Sequence, residues 1–573
     1  MLKIRKLYCE PAAFEPITFF DGFNLILGET TEGNVKTNGV GKSLAIEFLN
    51  YGLLKKNSDS RVSLIPPQDL SPETIVCLDF EIGDYRITSR RTIKNPECPT
   101  LVINGEARKY STLSDANNHL TTLLFGTTDR ENPPSFRTMM GPLIRDEGSE
   151  FKSIINCYDT NKRVPPNYAP HLWLLHVDPA PYTEAKQLYK DMQDVSKARK
   201  KMEENIETIT GKNVSESRAD LNELENQVQR IQADIDQLEN TEGFDTVKNE
   251  IIEIETLLEQ ERSAQTVLKS ELSKVRMFRG DNYIDGDEVA ELYNQFKAGL
   301  GDLIKRELDE VSAFKRKIDE FQRSIIENRR ASLNDEIKQR DERITNLTRA
   351  YKEKVSLLDQ EGLLVSLKQT IAVHQSKIEE FSALSSFISK FSEYDSEHKS
   401  KKREREDRIY LLESYVGDAK NVIESFENTV LSIHDYVFGN RKSSFEIDIS
   451  KKAEIVKFEL RTDSDGSHSI NREKVFLYDL SLLLNPDTSV LHPGLLIHDN
   501  IFDVDQDTLI KSMNYIGDSL QALASRQYIL TINSDKFSRE DIEQLNIRLD
   551  DFARASFTKE NRFLKRSYQE LSA

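Results

Sequence analysis

The sequence predicts an α/β protein whose globular part is divided in two by a long antiparallel coiled-coil hairpin. Both ends of the 573-residue chain hold short strand-like runs, and the middle carries an apolar repeat at heptad spacing. A glycine-rich segment, 39–43, follows one of the first strand-like runs. We predict residues 1–178 as the first half of a head, 179–438 as the hairpin and 439–573 as the second half.

Composition favours long exposed helices and excludes several classes of protein. Charged residues make up 31% of the chain and hydrophobic residues 38%, against about 25% and 45–50% in typical globular domains. The net charge of −19 argues against a generally basic nucleic-acid binder but allows a local basic groove. No apolar run reaches the roughly 18–20 residues that span a bilayer, and the first residues lack the apolar core of a signal peptide. We expect a cytoplasmic protein that makes no membrane contact.

The two terminal parts read as strands separated by turns. The clearest strand candidates are LKIRKLY, ITFF, FNLILG, TIVCLDFEI, YRITSRRTI and TLVIN in the first part, and SFEIDI, IVKFELRT, GLLIHD and QYILTIN in the last. A hairpin between these parts would bring them together, so we expect them to complete one head.

The middle of the chain carries two apolar stripes that require a packing partner. Spacings of three and four residues separate Leu221, Leu224, Val228, Ile231, Ile235 and Leu238, and a second series contains Leu333, Ile337, Ile344, Leu347 and Tyr351. A single solvated surface helix is the alternative, but a helix with such a stripe needs a partner. The simplest partner is the chain itself, with its apex near 280–303 and with Gly243 opposite Gly362 at a joint.

The segment NGVGKS predicts a phosphate-binding loop. It lies between the strand candidate FNLILG and the helical run LAIEFLNYGLL, which is the setting in which such loops work. Backbone N–H groups and the helix N-terminus would bind phosphate oxygens, Lys42 would contact the β- and γ-phosphates, and Ser43 would give an oxygen to Mg²⁺. The predicted nucleotide-binding residues here are Asn38, Gly39, Val40, Gly41, Lys42 and Ser43. A chance match in a surface turn is the alternative.

A second motif predicts an acidic metal ligand. The apolar run GLLIHD ends at Asp499, as a buried parallel strand would end beside the Mg²⁺ shell. Many buried strands end in an aspartate for other reasons. Together with the phosphate loop, however, this pattern favours Ser43 and Asp499 as the metal ligands.

The order of these motifs resembles that of the SMC/RecN-type branch of the ABC ATPases. The run FDGFNLILG followed by NGVGKS is similar to that branch's FxxGxNxIxGxNGxGKS, apart from an inserted ETTEGNVK at 29–36. The segment FQRSIIENRRASLNDEI, 321–337, is similar to a pattern in SMC-like ATPases of bacterial anti-phage systems of the Lamassu type. The resemblance implies a split ABC-type P-loop ATPase head that binds ATP and Mg²⁺ and forms a homodimer through its heads.

This sequence departs from the family at the signature motif. In its place stands SDGSHSINRE, 464–473, which lacks the paired glycines. Ser467 and Ser469 are the candidates to meet the γ-phosphate held by the other copy. A polar loop that caps the following helix is the alternative.

A second departure concerns the catalytic acid. Where the family has a glutamate after the metal-binding aspartate, this chain has Asn500, and an amide cannot accept a proton. Asp503 and Asp505 follow, and either could serve the contact between subunits or partly replace the missing acid. No glutamine stands out as a Mg²⁺ contact, and Asn533 or Ser534 stands where a switch histidine is expected. We therefore predict a slow ATPase.

The resemblance implies an SMC-like protein that binds DNA as a head-engaged dimer and controls an effector nuclease, with an accessory subunit, in anti-phage defence. A DNA-repair ATPase coupled to a nuclease and a structural tether that binds ATP without hydrolysing it are the alternatives. Candidate DNA contacts are Arg86, Arg90 and the charge run 399–407, although solvated surface is the more usual role of such residues. Residues 275–305 contain no Cys or His, so we expect no zinc hook at the apex.

Overall fold

The computed structural model describes residues 1–29, 39–126, 128, 130–157, 159–160, 164–239, 245–277, 324–355, 364–462 and 468–571. The chain forms two compact units. We call the first, Met1–Asp191 with Lys401–Ala573, the head, and the second, Met192–Ser400, the arm.

A five-stranded parallel sheet forms the centre of the head. In spatial order its strands are β13 (Ala553–Phe557), β3 (Gly22–Gly28), β12 (Gln527–Asn533), β11 (Leu495–Asp499) and β8 (Ile144–Arg145). Every residue of β3, β11 and β12 is buried, as expected for a parallel sheet covered on both faces. Strands from the two ends of the chain alternate, so neither half of the sequence can form this sheet alone.

A six-stranded antiparallel sheet lies in the N-terminal half of the head. Its order is β2-β1-β4-β5-β6-β7, with β1 Leu2–Glu10, β2 Ile17–Thr18, β4 Ile75–Ile82, β5 Tyr85–Thr92, β6 Thr100–Ile103 and β7 Glu106–Lys109. The later half adds a hairpin of β9 (Ser443–Ile449) and β10 (Val456–Thr462). The strands predicted from both ends of the chain are confirmed. The strand β7 was missed because it reads EARK and all four residues are exposed.

Helices of the head flank these sheets. They are α1 Lys42–Gly52, α2 Leu113–Phe125, α3 Phe136–Leu143, α4 Ala169–Leu174, α10 Lys420–Phe438, α11 His468–Leu484, α12 Gln506–Asp518, α13 Leu520–Leu523, α14 Arg539–Gln544 and α15 Leu549–Phe552. The helix α1 is buried along nearly its whole length, so the residues at its start are held rigidly. Across the described parts of the chain, no helix combines the length and the apolar character that crossing a membrane requires.

Long helices build the arm. They are α5 Ala180–Thr210, α6 Val214–Glu239, α7 Asp245–Met277, α8 324–355 and α9 Leu364–Asp418, of which α5 and α9 continue into the head. Ion pairs join α7 to α8, and they are Glu250–Lys354 at 2.5 Å, Glu261–Arg340 at 2.7 Å and Glu271–Arg329 at 2.6 Å. From pair to pair the residue number rises along α7 and falls along α8, so these two helices run antiparallel.

The predicted heptad positions contribute to the contacts between arm helices. Leu224 packs in one cluster with Leu384 and Ile388 of α9. Leu333 and Ile337 pack with Leu272 of α7. The proposed apex at 280–303 and the predicted pairing of Gly243 with Gly362 lie outside the described residues.

The arm also contains a contact that the heptads do not specify. Ile251 of α7 shares a cluster with Ile371 of α9, and further along the same helices Arg262 pairs with Glu379 at 2.8 Å. Both residue numbers rise together, so α7 runs in the same direction as α9 at this level. The helix α7 therefore packs against both α8 and α9.

Candidate functional site

The glycine-rich loop enters α1 in a conformation that only glycine adopts without strain. Gly41 has a φ of 109°, and a Cβ there would lie 2.6 Å from Cβ of Phe563. A Cβ on Gly28, the last residue of β3, would lie 2.7 Å from Nζ of Lys42. Gly39 and Val40 lie in the described part of the loop, and Asn38 lies outside the described residues.

Lys42 is the buried cation of this site. Its side chain projects from the first residue of α1, and the residue is 7% exposed. The ammonium donates a hydrogen bond to Oδ1 of Asn533 at the end of β12. Burial lowers the pKa of Lys42, whereas the nearby carboxylates of Asp499 and Glu147 oppose this shift. The ammonium thus lies at the carboxyl edge of the central sheet, where β12 ends.

Asp499 ends β11 at the same edge and is completely buried. Its Oδ1 accepts a 2.7 Å hydrogen bond from the Thr531 hydroxyl, and among the described residues nothing donates to its Oδ2. Burial, followed by the charge of Glu147, raises the pKa of Asp499 to about 7, against the effect of the Thr531 and Ser43 hydroxyls. A buried carboxylate oxygen that lacks a donor, beside a serine hydroxyl, suits a hard cation such as Mg²⁺.

Asn500 occupies a left-handed backbone conformation, with a φ of 58°. Asparagine adopts this region more readily than glutamate does. Its N–H donates to the Thr531 hydroxyl at 3.0 Å, and its carbonyl accepts from Nη1 of Arg472 at 2.9 Å. Its side-chain amide donates from Nδ2 to Oε1 of Glu147 at 3.2 Å.

Glu147 is a residue of this site that the sequence did not predict. It begins a single 3₁₀ turn, Glu147–Ser149, just after β8, the strand beside β11. Parallel strands end at the same edge of a sheet, so Glu147 arrives next to the residues that follow β11. The only signal in the sequence is an acidic pair, Asp146 and Glu147, after a two-residue strand that has no readable period.

The other predicted site residues either do not line the cavity beside Lys42 or lie outside the described residues. Asp505 caps α12, where it accepts from Thr508 N at 3.0 Å and from Thr508 Oγ1 at 2.8 Å. Asp503 is exposed and lies 3.4 Å from Nζ of Lys536. Neither lines the cavity beside Lys42. Ser467 lies outside the described residues, as does the side chain of Ser469 in the first turn of α11.

A cavity of about 570 Å³ adjoins the loop, which is within the usual range for a small-molecule site. Residues 39–44, Glu147 and Asn500 line one side of it. The other side is formed by Arg61 and by the C-terminal strap, our name for residues 558–571, through Arg562, Phe563, Leu564, Arg566, Ser567, Tyr568 and Glu570. The arginines bring positive charge that complements phosphate.

Backbone hydrogen bonds hold the strap in place. The N–H of Phe563 donates to the Val40 carbonyl at 3.1 Å, and the N–H of Leu571 donates to the Leu64 carbonyl at 2.8 Å. The Phe563 ring stacks on Phe14 with centroids 4.4 Å apart. The strap is therefore an integral part of the cavity wall.

A buried charge network lies behind the site. Nε and Nη2 of Arg145 each donate to Asp479 of α11 at 2.8 Å, and both side chains are at most 1% exposed. His498 of β11 lies 3.1 Å from the same carboxylate and 3.0 Å from the hydroxyl of Tyr528 in β12. Burial favours a neutral Asp479, but Arg145 and His498 hold its pKa below the usual value. The network joins β8, β11, β12 and α11.

Glu473 of α11 should make the stability of the head dependent on pH. Burial and then the charge of Asp505 raise its pKa from 4.5 to about 8. Between these values the unfolded chain loses the proton that the folded head keeps, so stability falls as pH rises, by up to about 1.4 kcal/mol per pH unit. We expect Glu473→Gln to raise the unfolding midpoint at pH 8.5 and to change it little at pH 5. Thermal unfolding across this range, with exposed Glu446→Gln as control, checks the result; parallel curves for Glu473→Gln and wild type would contradict it.

Comparison with known proteins yields relatives at low identity. Residues 427–567 match a family described as an uncharacterised protein conserved in bacteria (DUF2326). The chain is 19% identical over 564 residues to the uncharacterized protein YydD of Bacillus subtilis (strain 168), with 91% of each chain covered.

Two solved structures also match along most of the chain. One is the Smc head domain with a coiled coil and joint from Pyrococcus yayanosii, at 13% identity and a TM-score of 0.35, covering 95% of this chain and 94% of that one. The other is the Smc head domain with an extended coiled coil bound to the C-terminal domain of ScpA from Pyrococcus furiosus, at 11% identity and a TM-score of 0.33, covering 95% and 92%.

The predicted fold class is confirmed in its architecture: an α/β head built from both ends of the chain is interrupted by long helices that pair antiparallel. Both ends of the chain contribute strands to the parallel sheet. The glycine-rich loop lies in sequence between one of these strands, β3, and the helix α1. The helices of the arm lie between those ends in sequence and pair antiparallel.

Proposed function

We propose that this chain is an SMC-like protein that binds ATP together with Mg²⁺ in its head. One observation carries the proposal. Lys42 lines a cavity of about 570 Å³ and reaches Asn533 at the end of β12, and the buried Asp499 ends the neighbouring parallel strand β11 at the same edge of the sheet. A cation for the phosphates and an acidic oxygen for the metal are the two groups that such a site needs.

Each residue then has a definite part in binding. The loop N–H groups and the N-terminus of α1 bind phosphate oxygens, and Lys42 contacts the β- and γ-phosphates. Ser43 and Asp499 would hold Mg²⁺, which when bound offsets the charge of the phosphates. Arg562 and Arg566 of the strap also line the cavity and add positive charge there.

We further propose that ATP binding joins two heads into a homodimer, in which the start of α11 faces the γ-phosphate of the other copy. Slow turnover would keep this state long-lived, as suits a switch. The dimer would bind DNA in the cytoplasm and control an effector nuclease, with an accessory subunit, in anti-phage defence. Support for the defence role is the resemblance of 321–337 to the Lamassu-type pattern.

A structural tether that binds ATP without hydrolysing it is the second candidate, and the amide at Asn500 favours it. Steady-state hydrolysis with and without linear DNA separates the two, because a switch turns ATP over and a tether does not. Molecular mass measured with and without ATP tests the homodimer. A protein that stays monomeric at saturating ATP would contradict the proposed pairing of heads.

DNA binding should be local and strongly dependent on salt despite the charge of −19. On the head, Arg90 pairs with Glu10 at 2.6 Å and Lys94 with Glu73 at 3.1 Å, whereas Lys402 and Arg403 on α9 are exposed. If about four phosphates are neutralised, the slope of log K against log salt on duplex DNA should be about −3.6. Fluorescence anisotropy over a salt series measures it.

Variants of α9 locate this contact. The double change Lys402→Gln with Arg403→Gln should reduce the magnitude of the slope by about 1.8, since each phosphate contact contributes about 0.9. Lys94→Gln, which removes a paired charge from the head, should leave the slope unchanged. A slope near zero in the wild type would remove DNA from the proposed function.

A further inference from the structure

The residue after Asp499 lacks a group that can take a proton, yet a carboxylate from another strand lies beside it. Oε1 of Glu147 accepts from the Asn500 amide at 3.2 Å. Glu147 lines the same cavity as Lys42 and Ser43. It follows β8, which pairs parallel with β11, so Glu147 lies at the same edge of the sheet as Asp499.

We propose that Glu147 supplies the carboxylate that polarises the attacking water during ATP hydrolysis. The proposal rests on the proposed function, since it requires ATP to be bound and turned over. Asn500 then acts as a positioning residue, because its amide donates to Oε1 of Glu147 and so orients a carboxylate that lines the cavity. In this arrangement the base comes from the turn after β8 instead of from the residue after β11.

The turn that carries Glu147 is fixed on its N-terminal side. Arg145, two residues earlier, is locked in the buried pair with Asp479. Asp146 lies 3.5 Å from Nζ of Lys55, which also pairs with Glu47 at 2.9 Å. Within the turn, the Ser149 hydroxyl donates to the Asp146 carbonyl at 2.7 Å. A base held this way is positioned before the substrate arrives.

The chemical step balances with water as the only co-reactant. The oxygen of the water forms a bond to the γ-phosphorus of ATP as its proton passes to the Glu147 carboxylate. The bond between the γ-phosphorus and the β,γ-bridging oxygen breaks, and its electron pair leaves on ADP. The proton on Glu147 then passes to the released phosphate or to solvent, which restores the carboxylate.

The test compares Glu147→Gln with the wild type and with a control from the same loop. Glutamine keeps the size and an oxygen ligand but cannot accept the proton, so turnover should fall about 10²-fold or more. ATP affinity by calorimetry should stay unchanged, and the ATP-bound dimer should persist longer on size-exclusion chromatography. Glu150→Gln, which removes an exposed partner of Lys152, should leave turnover, affinity and dimer lifetime as in the wild type.

The outcomes separate this proposal from the function on which it rests. Wild-type protein that binds no ATP would contradict the proposed function itself. Wild-type protein that binds ATP without turnover would overturn the role of Glu147 and favour the tether over the switch, whereas Glu147→Gln at the wild-type rate would overturn the role of Glu147 alone. Lost ATP affinity in Glu147→Gln would also overturn it, since Glu147 would then serve binding and not proton transfer. The unfolding midpoint of Glu147→Gln, equal to that of the wild type, shows that the variant is folded.

Discussion

Lys42→Ala should reduce the affinity for ATP by about 10²-fold or more. Removing one partner from a buried, hydrogen-bonded charge pair costs about 2–5 kcal/mol of binding free energy, and 1.4 kcal/mol corresponds to a factor of ten. The ammonium is the cation that α1 directs toward the carboxyl edge of the sheet, where Asp499 and Glu147 would otherwise repel the phosphates. Isothermal titration of the protein with ATP in the presence of Mg²⁺ measures this loss.

Lys565→Ala is the matched control for Lys42→Ala. Lys565 lies on the strap, its side chain is 56% exposed, and it pairs with Glu15 at 3.3 Å. The control removes the same charge from the same head without touching the cavity lining, so ATP affinity should stay near the wild-type value. Equal affinity in Lys42→Ala and the wild type would refute the phosphate-loop assignment.

Arg145→Met should destabilise the head by about 3–5 kcal/mol, because it leaves the Asp479 carboxylate buried without its main partner. Such a loss is a large share of the 5–15 kcal/mol that holds a typical protein folded. Denaturant unfolding followed by circular dichroism measures the change. Methionine fills much of the same space, so the effect reports the lost charge pair more than a cavity.

Two further variants test the reason for this effect. Arg90→Met breaks the half-exposed pair with Glu10 and should cost less than about 1 kcal/mol. Adding Asp479→Leu to Arg145→Met removes the orphaned charge and should recover part of the lost stability. If Arg145→Met cost no more than Arg90→Met, the buried network would not be a major source of stability in the head.

The parts of the site that lie on strongly patterned strands could be predicted from the sequence. The strands β3 and β11 are largely apolar runs; β11 ends at Asp499 itself, and β3 precedes the glycine-rich loop in the sequence. Glu147 could not be found in this way, because β8 has two residues and its place beside β11 is set by pairing across more than 300 positions. The strap was missed for a similar reason, since its role depends on contacts with the other end of the chain.

In the coiled coil, too, the sequence predicted local features but not every contact between distant segments. Heptad spacing indicates that a helix needs an apolar partner, and the antiparallel pairing of α7 with α8 follows the predicted hairpin. The spacing does not say how many partners a helix has. The contact of α7 with α9, through Ile251 and Arg262, is therefore visible only in the folded arm.

The alternation of strands in the central sheet has a consequence for synthesis of the protein on the ribosome. Strand β3, Gly22–Gly28, is made before the arm, but both its neighbours, Gln527–Asn533 and Ala553–Phe557, are made after it. The arm is translated between them and can begin to form from local contacts, whereas the sheet beside the glycine-rich loop cannot form until those two strands have been made. A prematurely terminated chain would carry the glycine-rich loop but not the sheet that shapes it. Under the proposed function, a chain that stops before Gln527 would therefore not bind nucleotide.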